Sequence, residues 1–536
     1  MRCFIFILII VLACLTRFLW LDKFPLGFTP DEATFGYDAY NLLKTGRDEW
    51  GTAFWKLPVT GLKSYGDYKL PLYSFLTVPA IRFFGLNEFS TRLPNSILSF
   101  LAILVIYLLT VKILGHTTGL LAALLLTVSP WYISLSRGAF EANLAVIFVL
   151  LGMALCFYKR PYLGALILAL GMYSYHSARL LTPLILLGLS VIYIPKMKIF
   201  LTWVIFLILS GGAFYSLIFL NPRSYDISIF NPPDKWQSMS LYHRVAVQSG
   251  WPGPLAQLLY NKLTFALPVF IKNYLTYFSP DFLFFSGPGE ATYGMLPGLG
   301  VIYLIEFPLL MIFLVKFIQK PGKIYFFILL LLFISPVPAA LTKGPGFAAN
   351  RSAVMIIPLV LLSAVGGGIY LDSLAGRKGL MTGLFLIALL VSFGAFTVTY
   401  TQKLPLVSAK AMGYGWLQAL PRILKAAPDY PEIRFSRSLS EPQIYLAFYT
   451  RTDPRFFQAS TPDWSDFENQ GYKFLDQYDG YKLSNFRFGN LFYPDPVYVP
   501  TLYVGRPEDF PASITYFVAA RYPDDTPAIV LAEKSP

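Results

Sequence analysis

The hydrophobic positions of this chain fall in runs too long for the interior of a soluble domain. Residues 4–15 are apolar without a break, and the run continues past Arg17 to Leu21. Ten comparable runs follow, near 94–113, 117–135, 141–158, 161–176, 178–195, 199–220, 295–317, 323–341, 352–371 and 379–400. A helix needs about 20 apolar residues to cross a bilayer core, so about eleven transmembrane helices are expected. No small-residue cleavage site follows the first run, which therefore reads as a retained span. The pair at 161–195 is divided only by His176-Ser177-Ala178-Arg179. Gly366-Gly367-Gly368, inside a span, reads as close helix packing.

The polar stretches have patterns of their own. Thr29-x-x-Glu32 is a capping box with Pro30 at the first helical position, and it predicts a helix through Leu43 that stops at Gly46. Leu70–Leu86 is apolar but broken by Pro71, Pro79 and Arg82, which predicts one or two short helices lying on the membrane surface. From Lys403 onward the apolar runs are short. Glu432–Arg437, Val497–Val504, Ile514–Val518 and Ala528–Ala532 read as strands, and Tyr414–Lys425 and Glu441–Tyr449 as helices. The expected architecture is an α-helical polytopic membrane domain over residues 1–400, with external loops 22–93 and 221–294. A small external α/β domain follows over residues 401–536.

Charge changes this picture by giving it a direction. The 536 residues carry a formal net charge of +13, with only 14% charged and 55% hydrophobic residues. Residues 401–536 hold 14 Lys/Arg and 15 Asp/Glu, so the positive surplus belongs to the membrane part and a nucleic-acid partner is not expected. With a cytoplasmic amino terminus, the inner connections hold Arg2, Lys112, Lys159, Arg160, Lys196, Lys198, Lys316, Lys320, Lys323, Arg377 and Lys378, against the single acid Asp372. This bias predicts a plasma-membrane protein with a cytoplasmic amino terminus and an external, periplasmic-side C-terminal domain. Cys3, Cys14 and Cys156 lie in spans and have no metal-ligand spacing.

The working face is therefore external, and its candidate chemistry is acidic and cationic. Asp31 and Glu32 open the helix of the first outer loop. Glu32 completes the capping box, whereas Asp31 is not needed for it. A sugar on a lipid phosphate already has a good leaving group. One base for an acceptor hydroxyl, with cations around the departing phosphate, is then sufficient chemistry. Lys69, Arg92, Arg137, Arg179 and Arg351 lie on the same side, as does the acid Glu141 at the start of a span. Glu141 with His176 or His243 leaves a divalent metal open, but no motif supports one and no cofactor is assigned. Glu306, read as the middle of the eighth span, is the residue that favours a rival reading, a transporter or flippase of lipid-linked saccharides. Phosphate-binding Gly-rich loops, HExxH and GxSxG are absent.

A first span is followed by an external Pro30-Asp31-Glu32, then Lys69-Leu70-Pro71-Leu72-Tyr73. Phe89-Ser90-Thr91-Arg92-Leu93-Pro94 then opens the second span. This arrangement resembles the GT-C glycosyltransferases, in the branch of the protein O-mannosyltransferases and aminoarabinose lipid A transferases. The resemblance covers residues 1–220 well and the tail hardly at all. It implies inverting transfer of a hexosyl or pentosyl group from a polyprenyl-phosphate sugar to a glycan, lipid or protein acceptor. Asp31 is then the catalytic acid residue, Glu32 its companion, and Arg92 and Arg351 the phosphate ligands. Glu141, Arg137, Arg179 and Lys69 are the other substrate-binding candidates.

Overall fold

The computed structural model of the chain describes residues 2–64, 67–220, 227–343, 349–373, 378–470 and 478–536. Helix α1 (Arg2–Phe18) leads into an excursion that holds α2 (Pro30–Thr45), α3 (Leu57–Thr60), strands β1 (Leu62–Ser64) and β2 (Asp67–Lys69), and α4 (Leu72–Phe84). Then α5 (Glu88–Leu114), α6 (His116–Val128), α7 (Pro130–Arg137), α8 (Glu141–Phe157), α9 (Pro161–Gly171), α10 (His176–Ile192) and α11 (Lys196–Tyr215) succeed one another. Helices Phe307–Gln319, Lys323–Ile334, Ile356–Ser373 and Lys378–Gln402 complete the apolar set.

Among the described residues, five helices are long and apolar enough to cross a membrane, or six if the bent pair α6–α7 is one span. The other runs expected to span are shorter apolar helices. The 58° bend between α6 and α7 follows from Pro130, which has no N–H to continue α6. Ser129 caps α7 there, accepting the Tyr132 N–H at 3.2 Å. The protein is integral to the membrane, and Arg377, one of the expected inner-face cations, lies outside the described residues. So do residues 221–226 of the long outer loop.

The eighth run differs from expectation. Its chain is irregular over residues 295–303, where Pro297, Gly298 and Gly300 interrupt it, and the α-helix begins only at Phe307. Glu306 therefore stands at a helix N-terminus, where its carboxylate accepts the Tyr303 N–H at 3.1 Å. It is not a mid-helix charge, so the observation that favoured a transporter is lost. Glycine packing, by contrast, is as expected. A Cβ on Gly366 would lie 1.9 Å from the Leu309 carbonyl oxygen, so only glycine lets helices Ile356–Ser373 and Phe307–Gln319 approach this closely.

The excursion and the C-terminal region follow the sequence pattern in part: the strands expected at 497–504 and 514–518 lie at Thr501–Gly505 and Phe517–Arg521. Helix α2 runs to Thr45 and stops at Gly46 in the left-handed conformation (φ 69°). Residues 70–86 form one helix, α4, that continues through Pro79. In the tail, β3 (Glu432–Ser436), β4 (Tyr481–Leu483), β5 (Phe486–Gly489), β6 (Thr501–Gly505), β7 (Phe517–Arg521) and β8 (Pro527–Lys534) form one sheet in the order β4-β5-β3-β6-β8-β7. Strand β3 is central and parallel to both β5 and β6, and the outer pairs are antiparallel. Parallel neighbours need crossover segments, and helices Pro442–Thr450 and Pro454–Asn469 provide one between β3 and β5.

This sheet domain is packed against the excursion. Phe28, Ala33, Tyr37 and Ala39 share a buried cluster with Trp416, Tyr445 and Phe448. The Tyr445 hydroxyl donates to the Phe28 carbonyl at 2.6 Å, and the Tyr37 hydroxyl to the Thr452 carbonyl at 3.0 Å. Gly36 makes the contact possible, since a Cβ there would lie 2.6 Å from the Phe448 ring and 2.5 Å from Thr91 Oγ1. The back of α2 is thus fixed by the tail, which leaves its N-terminal turn to face a cavity.

Candidate active site

Thr29 caps α2, its side chain accepting the Glu32 N–H at 3.1 Å while the Glu32 carboxylate accepts the Thr29 N–H at 3.0 Å. Successive residues on a helix point about 100° apart, and this separates the two adjacent acids. Glu32 turns inward and is fully buried. Its Oε1 accepts Arg92 Nε at 2.8 Å and the Ala139 N–H at 2.9 Å, and its Oε2 accepts Arg92 Nη2 at 3.2 Å. Asp31 turns outward, half exposed, onto a cavity of about 300 Å3.

That cavity gathers several of the candidates. Lys69, at the end of β2, is buried and ion-paired with Asp31, with its ammonium 5.1 Å from the centre of the Phe35 ring. Glu141, the first residue of α8, lines the same space, brought there by the loop whose Ala139 N–H is held by Glu32. Arg351 lines it from the opposite side and donates to Thr342 Oγ1 at 2.7 Å. His176 is also on the wall, with Tyr175 and Tyr293; Leu180, Leu217, Ile227 and Leu341 form its apolar part, and Ser174, Ser177, Ser228 and Asn350 are polar positions among them. Among the described residues, no three histidine, cysteine or carboxylate side chains stand close enough together to hold a metal ion.

Two acidic features set the electrostatics around it. Glu290 Oε2 accepts the N–H groups of Ala349 and Asn350, at 2.9 and 3.3 Å, and so fixes the segment that carries Arg351. Burial pushes its carboxyl up to about 7, against those two hydrogen bonds and the Arg351 charge, which pull it down. On α2, Asp38 is buried with Asp48 and Glu49, and its Oδ1 accepts the Glu49 N–H at 3.0 Å. Burial raises all three carboxyls, with Asp48 reaching about 6. Asp38 and Glu49 are raised further by neighbouring carboxylates and are lowered by Lys69.

One expected phosphate ligand, Arg92, and two other substrate-binding candidates, Arg137 and Arg179, are placed elsewhere. Arg92 is fully buried and does not line the cavity. Besides Glu32 it donates to the carbonyls of Leu21, Pro25 and Gly27, strapping the chain between α1 and α2. Glu32, expected beside the substrate, is its partner in that strap. Arg137 donates to the carbonyls of Thr16, Leu19, Trp20 and Phe24, at 2.8 to 3.2 Å. It therefore closes off the C-terminal end of α1, where unpaired carbonyls collect. Arg179 is buried beside the cavity wall but off it, its nearest acceptors the Met172 carbonyl and Ser216 Oγ, each at 3.4 Å. Conversely, Glu290, Tyr175 and Tyr293 were not anticipated. Glu290 binds backbone 59 residues away, which leaves no local pattern to read. Tyr175 adjoined a recognised helix break and could have been weighed from it.

The family described as dolichyl-phosphate-mannose-protein mannosyltransferase matches residues 69–215, from the end of β2 to the end of α11. Comparison with curated proteins finds no significant match. Among solved structures, ArnT from Cupriavidus metallidurans bound to undecaprenyl phosphate aligns over 98% of this chain and 97% of its own, with a TM-score of 0.51 at 13% identity. This chain has the GT-C fold. The Archaeoglobus fulgidus oligosaccharyltransferase in complex with zinc and sulfate shares that fold, with a TM-score of 0.51 at 14% identity over 94% of this chain and 68% of its own. The archaeal oligosaccharyltransferase AglB from A. fulgidus, in complex with an inhibitory peptide and a dolichol-phosphate, gives 0.50 at 14% identity over 94% and 69%. In this GT-C chain the cavity lies where the first excursion meets α8, the α9–α10 turn and the loop before helix Ile356–Ser373.

Proposed function

We propose that the protein transfers a sugar, with inversion, from a polyprenyl-phosphate carrier to an acceptor hydroxyl at the outer face of the membrane. The observation that carries this reading is the meeting of Asp31, Lys69, Glu141 and Arg351 in one cavity with an apolar wall. ArnT was solved with undecaprenyl phosphate and AglB with a dolichol-phosphate, which supports a carrier of this class here. The asymmetry of basic residues supports the outward orientation.

In this reaction Asp31 accepts the proton of the acceptor hydroxyl as its oxygen attacks the anomeric carbon. The bond from that carbon to the phosphate oxygen breaks, and its electron pair stays with the phosphate. Lys69 and Arg351 hold that anion, where charge-assisted hydrogen bonds are strongest. Lys69 also pairs with the Asp31 carboxylate. Glu141 faces the same space and orients the sugar or the acceptor. Leu180, Leu217, Ile227 and Leu341 flank the first isoprene units.

The test is turnover of a radiolabelled polyprenyl-phosphate sugar by Asp31→Asn in reconstituted vesicles. A loss of about 100-fold or more per folded molecule, the usual scale for a positioned base, is expected. Activity close to the parent's would remove Asp31 from the chemistry.

A further inference from the structure

A second cleft, sharing no residue with the Asp31 cavity, lies between α1 and helix Lys378–Gln402. Its volume is about 240 Å3. Leu12, Leu15, Phe393 and Phe396 form its apolar depth, and Arg137 and Tyr400 stand at one end. From Leu12 to Leu19 on α1, or Phe393 to Tyr400 on the other helix, is about 10 Å at 1.5 Å per residue. The cleft is thus a short slot running along the membrane normal. Helix Lys378–Gln402 is only 11% buried over its most apolar window, so the slot opens toward lipid and not into the bundle.

Its polar end is short of negative charge. Arg137 is buried and donates to the carbonyls of Thr16, Leu19, Trp20 and Phe24. Arg17 is buried nearby and bonded to the Leu126 and Thr127 carbonyls and to Thr16 Oγ1, with its Nε unpartnered. Among the described residues neither guanidinium has a carboxylate within ion-pair distance, whereas Arg92 has Glu32. Helix C-terminal carbonyls offset about half a charge at each end, so positive charge remains. The hydroxyl of Tyr400, whose side chain is 5% exposed, lies against the Arg137 guanidinium at the same end. An amphiphile with an anionic head complements the charge at this end, Arg137 directly and Arg17 from behind the wall.

We propose that this cleft is a binding site for one anionic phospholipid of the leaflet on the Asp31 side. One acyl chain fills the slot between α1 and helix Lys378–Gln402. The lipid phosphate accepts from the Tyr400 hydroxyl and lies against the Arg137 and Arg17 charges. A polyprenyl donor belongs in the other cavity, and the two sites are independent.

The test is native mass spectrometry of the full-length protein, delipidated in detergent and titrated separately with phosphatidylglycerol, phosphatidylcholine and inorganic phosphate. One phosphatidylglycerol per chain should be retained, about five- to tenfold more tightly than phosphatidylcholine, the scale of one or two interfacial charges. Tyr400→Phe should weaken that preference. Leu15→Trp, and separately Thr397→Trp from the opposite wall, should fill the slot and abolish retention; both positions are exposed and tolerate bulk. Asp31→Asn should retain the lipid as the parent does. Equal retention of the two lipids, retention unchanged in both tryptophan variants, or inorganic phosphate binding as tightly as the lipid would each overturn the proposal.

Discussion

Replacing Glu32 with alanine removes, in one step, the acceptor for the Thr29 N–H, the Ala139 N–H and two N–H groups of Arg92. The dominant loss is the ion pair. Arg92 is left fully buried with only carbonyl partners, and removing one member of a buried pair costs about 3–5 kcal/mol. Loss of the capping interaction adds about 1 kcal/mol. The expected result is a large drop in thermal stability, followed in nanodiscs by the fluorescence of a thiol-reactive dye as buried Cys156 becomes accessible. The double variant Glu32→Ala/Arg92→Met removes the orphaned charge as well, and should recover most of the loss, because an apolar replacement of a whole buried pair is often close to neutral. Turnover should follow the folded fraction in all three proteins, since neither residue lines the cavity. If Glu32→Ala kept the parent's stability yet lost turnover per folded molecule, Glu32 would be a substrate-side residue and the strap reading would be wrong.

Other outcomes follow from the same contacts. Gly36→Val should separate the sheet domain from α2, because its Cβ would meet the Phe448 ring at 2.6 Å; limited proteolysis between helices Lys378–Gln402 and Trp416–Ala426 measures this, and parent-like resistance would count against the docking. Glu290 has a folded-state pKa of about 7, above its ordinary value of 4.5. The folded state therefore holds its proton longer, so the penalty is absent below about pH 4.5, grows up to about pH 7 and is constant above. Stability should fall across that window by about 1–3 kcal/mol from this group, and Glu290→Gln should flatten the fall. Asp38, Asp48 and Glu49 act with the same sign in both proteins, so the difference between the two melting curves against pH isolates Glu290. Lys69→Met should raise KM for the lipid donor by about tenfold or more and lower kcat, because it removes both a phosphate partner and the cation beside Asp31.

The elements that sequence reading found were those set by local pattern. The capping box gave the start of α2, Gly46 its end, and the alternation at Glu432–Arg437 gave the central strand. The elements it missed depend on remote contacts. Strands β4 and β5 are short and get their identity from pairing with β3 and each other, and the helix Pro454–Asn469 has Pro462 inside it. The eighth run was read as a full span because its composition is apolar, although its glycines and Pro297 prevent helix before residue 304. The arginines failed for a related reason. Arg92, Arg137 and Arg351 all look alike at the end of a hydrophobic run, and only the acceptors around them decide their work. Backbone carbonyls of α1 and the turn after it occupy Arg92 and Arg137, whereas Arg351 retains a face on the cavity.

The pair Asp31-Glu32 shows how a helix converts adjacency into a division of labour. Both residues occupy the first turn and both favour its positive end, so the dipole does not distinguish their chemistry. The 100° step between them does. Glu32 is committed to the interior, where its four N–H partners, two of them from Arg92, occupy its carboxylate. That commitment also holds the 138–140 loop, and with it Glu141, beside Asp31. Asp31 is half exposed, with the buried Lys69 against it. A base must be able to exchange its partner for a substrate proton, and a carboxylate locked by several buried donors cannot. In the proposed reaction the chemical task thus falls to the acid that the fold needs less, and the structural task to its neighbour. Exchanging the two side chains, Asp31→Glu with Glu32→Asp, keeps the charge and composition of this turn. It should nevertheless cost stability, since the shorter carboxylate at position 32 cannot reach Arg92 and Ala139 together.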